Sequence, residues 1–136
     1  MAHNSTLHFD TFGGRIYKII ECEYEITQLV NDYGRPSGHP SSGAIQITIV
    51  SPDDCDMFLH SWMQSATEHK DGQIKFAIVD TGLPAGKTLS FKHAYCIRLS
   101  EHFHGQAGKQ MHTKLTLSAE EIAFGDNQDV VFKNEY

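Results

Sequence analysis

Nothing in this chain approaches the roughly 18 consecutive apolar residues that a membrane-crossing helix needs. The segment Met1 to Thr6 also lacks the basic and apolar regions of a secretory leader, so the expectation is a protein made in the cytoplasm with no membrane insertion. Basic residues are scarce, 11 Lys and Arg against 17 Asp and Glu for a formal charge of −6, which argues against nucleic acid or an anionic lipid surface as partner. Cysteine is sparse too. Cys22, Cys55 and Cys96 are odd in number, widely spaced and free of any C-x-x-C pair, as expected of reduced thiols used in packing. Cys96 lies three residues from His93, a spacing that sends the two side chains to opposite faces of a strand and works against a catalytic pair. Missing as well are G-x-S-x-G, the phosphate-binding loop, G-x-G-x-x-G and H-E-x-x-H. The expectation is a protein that is not an enzyme and needs no cofactor.

What is present is alternation. Leu89, Phe91, His93, Tyr95, Ile97, Leu99 and Phe103 fall on one side of a period-two pattern, and Ser90, Lys92, Arg98, Ser100 and His102 on the other. This predicts one long, bent antiparallel strand with a wet face, as in a barrel or a strongly curled sheet. Shorter runs of the same kind are Leu7 and Phe9; Ile20, Cys22, Tyr24 and Ile26; Ile45, Ile47 and Ile49; Ile74, Phe76 and Ile78; and Met111, Leu115 and Leu117. Gly13-Gly14, Lys70-Asp71-Gly72, Leu83-Pro84-Ala85-Gly86 and Gly105-Gln106-Ala107-Gly108 read as turns. No linker, repeat or low-complexity tract divides the 136 residues, so a single domain over 1–136 is expected.

One segment departs from period two. Phe58 with Trp62 and Leu59 with Met63 recur at helical spacing, after Ser51 as N-cap, Pro52 at the first helical position, and Asp53 and Asp54 at the positive end of the dipole. A single flanking helix over about 52–66 is predicted, with Phe58 and Trp62 as core residues.

The connection 29–43 is the costly feature. Fixing each of its residues takes roughly 1–2 kcal/mol of backbone entropy. Only Leu29, Val30 and Tyr33 are large and apolar, at about 1.5–3 kcal/mol each if buried. Arg35 and His39 precede prolines and are held extended, whereas Gly34, Gly38 and Gly43 allow bends. Such an arm needs a docking surface. Among nine histidines, His102 and His104 share a strand face, with His112 expected opposite. Three imidazoles suffice for zinc in principle, but no carboxylate or thiolate at recognisable spacing completes a set, and no metal is expected.

The ordered set Cys22-Glu23-Tyr24, Gln28, Asp32, Gly34-Arg35-Pro36-Ser37-Gly38, Gly43 and Ile45-Gln46-Ile47-Thr48-Ile49 resembles the Hcp (TssD) family of type VI secretion tube proteins. The resemblance continues through Phe58 and Trp62, Asp71-Gly72-Gln73-Ile74-Lys75-Phe76, Lys87-Thr88-Leu89-Ser90-Phe91 and Ala94-Tyr95-Cys96. It closes with Ser100-Glu101, Phe103 and Leu115-Thr116-Leu117-Ser118-Ala119. It implies a mainly β fold, a barrel of two antiparallel sheets with one flanking helix. It further implies a homohexameric ring stacking into a tube, driven out with spike and effectors by a contractile sheath and so secreted without a leader. Mapped onto this chain, the family's assembly loop is 29–43, with Leu29, Asp32, Tyr33, Gly34, Arg35, Pro36, Ser37 and Gly38 at the subunit interface. The histidines at 102, 104 and 112 exceed what the resemblance requires and could tune ring stacking with pH. The competing readings are a tail-tube subunit of a related contractile particle, a monomeric ligand-binding barrel and a zinc hydrolase.

Overall fold

Alternating sequence becomes nine strands and one helix among the residues that the computed structural model describes, namely 5–10, 15–37, 41–51, 57–79, 84–103, 105, 111–125 and 129–134. In chain order these are β1 (Thr6–Phe9), β2 (Ile16–Glu23), β3 (Ile26–Thr27), β4 (Ser41–Ser42), β5 (Ile45–Val50), α1 (Phe58–Gln64), β6 (Lys70–Val79), β7 (Pro84–His102), β8 (His112–Phe124) and β9 (Val130–Lys133). Seven strands form an antiparallel sheet in the order β5-β2-β1-β6-β7-β8-β9, and a further β5–β8 pairing closes it into a barrel. The long strands serve both halves. The first part of β7 pairs with β6 and the last part of β8 with β9, while the other ends of β7 and β8 lie together beside β5. Strands β3 and β4 form a separate two-stranded ladder.

Curvature comes from bulges, and these correct the simple alternation expected of β7. Leu89 and Phe91 are fully buried, but the β6–β7 register then slips so that Lys92 and His93 both oppose Asp71. Inward positions become Ala94 and Cys96. A second slip, between Cys96 and Arg98, leaves Ile97 outside and returns Leu99 toward the core. His93, Tyr95 and Ile97 are therefore exposed, because each extra residue exchanges the two faces of the strand, and Phe103, one residue beyond the end of β7, is exposed as well. Strand β2 does the same between Ile19 and Glu21, so Tyr17 and Ile19 face inward and Ile20 faces out.

The interior is filled by side chains. Ile45 and Ile47 face Leu117 and Leu115 in register, and all four are fully buried. Phe9 meets Tyr17, Phe58, Trp62 and Phe91 edge-on at ring centroid distances of 5.2–6.1 Å. Such aromatic pairs contribute about 0.5–1.5 kcal/mol each beyond their burial. Helix α1 packs on β7 through Leu59 and the fully buried Trp62, whose indole N–H donates to the Glu68 carbonyl at 3.1 Å. Phe58 is half-buried beneath the Lys70 ammonium, 4.4 Å from its ring centre, and Met63 is exposed.

Several local expectations are corrected. The described helix begins at Phe58 with Met57 as N-cap and no capping side chain, and it ends at Gln64. Ser51 is instead buried in the barrel wall, its hydroxyl bonded to that of Thr113, so the oxygen that would cap a helix is occupied. Pro52, Asp53, Asp54, Gly13-Gly14, Leu83 and 106–108 lie outside the described residues. Lys70-Asp71-Gly72 makes no turn but opens β6, and Pro84, Ala85 and Gly86 open β7. Gly72 is there for space: a Cβ on it would sit 2.5 Å from the His8 carbonyl oxygen and 2.6 Å from Phe91 Cζ. Among the described residues no helix is long and apolar enough to cross a membrane.

Candidate assembly surface

Strands β2 and β5 are neighbours in the barrel, paired from Ile19↔Ile49 to Glu23↔Gln46, and the chain between them leaves the wall as an arm. The arm is itself a stepped hairpin. Its base is a Gly43 N–H bond to the Glu25 carbonyl at 2.8 Å, followed by Ile26↔Ser42 and Thr27↔Ser41. Further out, Ser37 N–H donates to Leu29 O at 2.8 Å, Val30 bridges Pro36, and Asn31 N–H donates to Arg35 O at 2.9 Å.

The tip is built by Asn31. Its side-chain oxygen accepts the N–H groups of Tyr33 at 3.0 Å and Arg35 at 3.1 Å, and its carbonyl accepts Gly34 N–H at 3.0 Å. Gly34 sits at φ +77°, a conformation that side chains with a Cβ rarely adopt. Backbone order in the arm thus comes from local ladder bonds, while the side chains remain in solvent. Leu29, Val30 and Tyr33 are 76%, 62% and 89% exposed, and Asp32, Arg35, Pro36 and Ser37 are exposed beside them.

Of the sequence-expected interface residues, Leu29, Asp32, Tyr33, Gly34, Arg35, Pro36 and Ser37 are brought together on this tip, and Gly38 lies outside the described residues. Val30 and Asn31 lie on the same tip, and the turn-building role of Asn31 is the part that the sequence expectation did not name. The Asn-Asp-Tyr-Gly string held the signal, since asparagine two and four residues ahead of backbone donors is a recognised turn former.

The barrel wall carries a contrasting surface. Gln46 from β5, Arg98 and Ser100 from β7, and Lys114 and Thr116 from β8 line an open depression of about 200 Å³ with two cationic side chains. At the opposite end of β7, Lys87 Nζ donates to the Tyr24 hydroxyl at 2.8 Å and lies 5.0 Å above the Phe124 ring. The thiols are held in their protonated form: burial pushes the Cys22 pKa up to about 11, and burial likewise raises that of Cys96, whose Sγ–H donates to the Arg98 carbonyl. Cys55 lies outside the described residues. His102 and His112 do stand opposite one another in register, but His104 is not described, and no three-histidine set forms among the described residues.

Residues 1–135 match the family described as Hemolysin coregulated protein Hcp (TssD). No curated protein matches the chain. Among solved structures, Hcp1 from Flavobacterium johnsoniae is similar at 28% identity and a TM-score of 0.74, covering 96% of this chain and 99% of that one. The secreted protein Hcp3 from Pseudomonas aeruginosa superposes with a TM-score of 0.65 at 9% identity over 99% of both chains. A structure of the anti-feeding prophage baseplate does so at 0.55 and 11% identity, over 92% of this chain and 94% of that one. The latter two likenesses speak for the fold alone. With a family match spanning nearly its whole length and a closed barrel flanked by one helix, the chain belongs to the Hcp (TssD) family of type VI secretion tube proteins.

Proposed function

We propose that this chain is the inner-tube subunit of a type VI secretion system, closing into homohexameric rings that stack into a tube. Ejection of the tube by a contractile sheath, with a spike at its tip and effectors carried along or within it, is the mechanical act to which the subunit contributes. Catalytic turnover forms no part of it. The subunit is made and assembled in the cytoplasm and leaves the cell on firing.

The observation that carries this reading is the arm. Ladder and turn bonds within the arm order its described backbone, yet Leu29, Val30 and Tyr33 remain in solvent on one projecting tip. A heterologous ring gives every such tip a receptor patch on the next subunit and repeats the contact until the ring closes. Leu29, Asp32, Tyr33, Gly34, Arg35, Pro36, Ser37 and Gly38, joined by Val30, are the proposed interface. A ligand-binding barrel fits less well, because Trp62, Phe91, Ile45, Ile47, Leu115 and Leu117 fill the space a ligand would need. For the tail-tube alternative there is a likeness of 11% identity to a chain of the anti-feeding prophage baseplate, which speaks for the fold alone, against 28% for Hcp1 from Flavobacterium johnsoniae.

Size-exclusion chromatography with negative-stain microscopy of the purified chain tests the proposal. Six-fold rings are expected. A strictly monomeric species at high concentration would overturn it.

A further inference from the structure

The bulge on β7 does more than bend the strand. Lys92 and His93 share one partner position, Asp71, and His93 takes up the extra residue at φ +52°, the left-handed region that residues other than glycine seldom enter. Its backbone N–H donates to Asp71 Oδ1 at 2.9 Å, which fixes the orientation of that carboxylate and leaves Oδ2 unused by this bond. His69, just ahead of β6, lays its ring on that of His93 with centroids 4.4 Å apart and planes 17° from parallel. The edge of Tyr95 borders His69 at 6.0 Å. From β8, Glu120 Oε2 approaches His93 Nδ1 at 3.5 Å.

Three potential ligand atoms, one each from His69, Asp71 and His93, lie within 4.8 Å of one another. Around a tetrahedral zinc-sized ion, with metal–ligand bonds of about 2.0–2.2 Å, donors stand about 3.4 Å apart. Stacked as they are, the two imidazoles must turn until one ion lies in both ring planes, and His69 and His93 are exposed enough to turn. Two imidazoles with one or two carboxylates form a borderline donor set suited to zinc, nickel or copper, whereas calcium and magnesium favour all-oxygen shells. The His93 amide N–H that donates to Asp71 supplies the orienting contact that metal sites commonly place around a ligating carboxylate.

We propose that His69, Asp71 and His93, with Glu120 as fourth donor, form a binding site for a divalent transition-metal ion of the zinc class, tying β6, β7 and β8 together across the bulge. The site stands apart from the arm and is independent of the tube reading.

Isothermal titration of the full chain with zinc chloride tests it, with calcium chloride in excess as the hard-cation control. One saturable site per chain is expected, insensitive to calcium. His69→Ala and His93→Asn should each weaken it roughly tenfold or more, asparagine being chosen because it tolerates the left-handed backbone. The double substitution His102→Ala with His112→Ala should leave it unchanged. On the unsubstituted chain, zinc should protect His69 and His93 from diethyl pyrocarbonate, read by mass spectrometry, without protecting His102 and His112. Absence of saturable binding at millimolar zinc overturns the proposal. So does binding that survives both single substitutions, or protection that falls on His102 and His112 instead.

Discussion

Replacing Leu29, Val30 and Tyr33 together by serine separates the arm's role in folding from its role in assembly. In the isolated chain these side chains are 76%, 62% and 89% exposed, so they contribute little to the barrel, and surface changes of this kind move stability by no more than about 0.5 kcal/mol. If docking on a neighbour buries them, the exposed fractions scale the usual 1.5–3 kcal/mol per large side chain to a loss of about 3–7 kcal/mol at each junction. That corresponds to roughly two to five orders of magnitude in the junction constant. Sedimentation velocity should show the ring replaced by monomer at concentrations where the parent chain is hexameric. The thermal melt followed by circular dichroism should coincide with the parent's. Rings that persist at the parent's concentration would refute the docking argument, and a fall in Tm would show that the side chains pack on their own barrel.

Two further outcomes follow from the barrel. Gly72→Ala should destabilise the fold by about 1–3 kcal/mol, because its new methyl would meet the His8 carbonyl oxygen at 2.5 Å and Phe91 Cζ at 2.6 Å; a Tm equal to the parent's in a calorimetric scan would show that the two strands can part at no cost. His8 has its pKa lowered by burial and by Lys75, against the opposing effect of Asp10, so the unfolded chain takes up this proton first as the pH falls below about 6.5. Stability should decline over that window until the depressed folded pKa is passed. In His8→Asn, denaturant midpoints between about pH 7.5 and pH 5 should change less than in the parent, and an identical profile would count against the assignment.

How legible this fold was depends on the length scale of each signal. Ile45, Ile47 and Ile49 read correctly because no bulge interrupts β5, and period two then maps directly onto burial. The same rule misplaced His93, Tyr95 and Ile97, since a one-residue slip is invisible to composition and exchanges the faces beyond it. Trp62 was recoverable from helical spacing, but the role of Ser51 was not, because its partner Thr113 is 62 residues away. On the arm, Pro36 and Gly34 marked stiffness and bend, whereas the ladder that orders it depends on which carbonyls face which amides. The His69–Asp71–His93 grouping was missed for a related reason. His69 and His93 meet only through the β6–β7 register, which no local pattern encodes.

The topology also says how the arm can be removed without touching the wall. Because β2 and β5 already pair up to Glu23↔Gln46, the arm is an outgrowth of an ordinary hairpin connection. Thr27 and Ser41 are opposed in the β3–β4 ladder, which is where a two-residue Asn-Gly turn joins antiparallel strands with compatible twist. Replacing residues 28–40 by Asn-Gly shortens the closing loop from thirteen residues to two, which by loop-closure entropy alone favours the folded state by roughly 1–2 kcal/mol. This variant should melt no lower than the parent and give the same far-ultraviolet circular dichroism, yet form no rings. It differs from the serine variant in removing the backbone as well, so a ring lost here but kept there would place the contact in the arm's main chain and in Asp32 and Arg35. Rings formed by the shortened chain would remove the arm from the assembly interface altogether and transfer that role to the barrel wall.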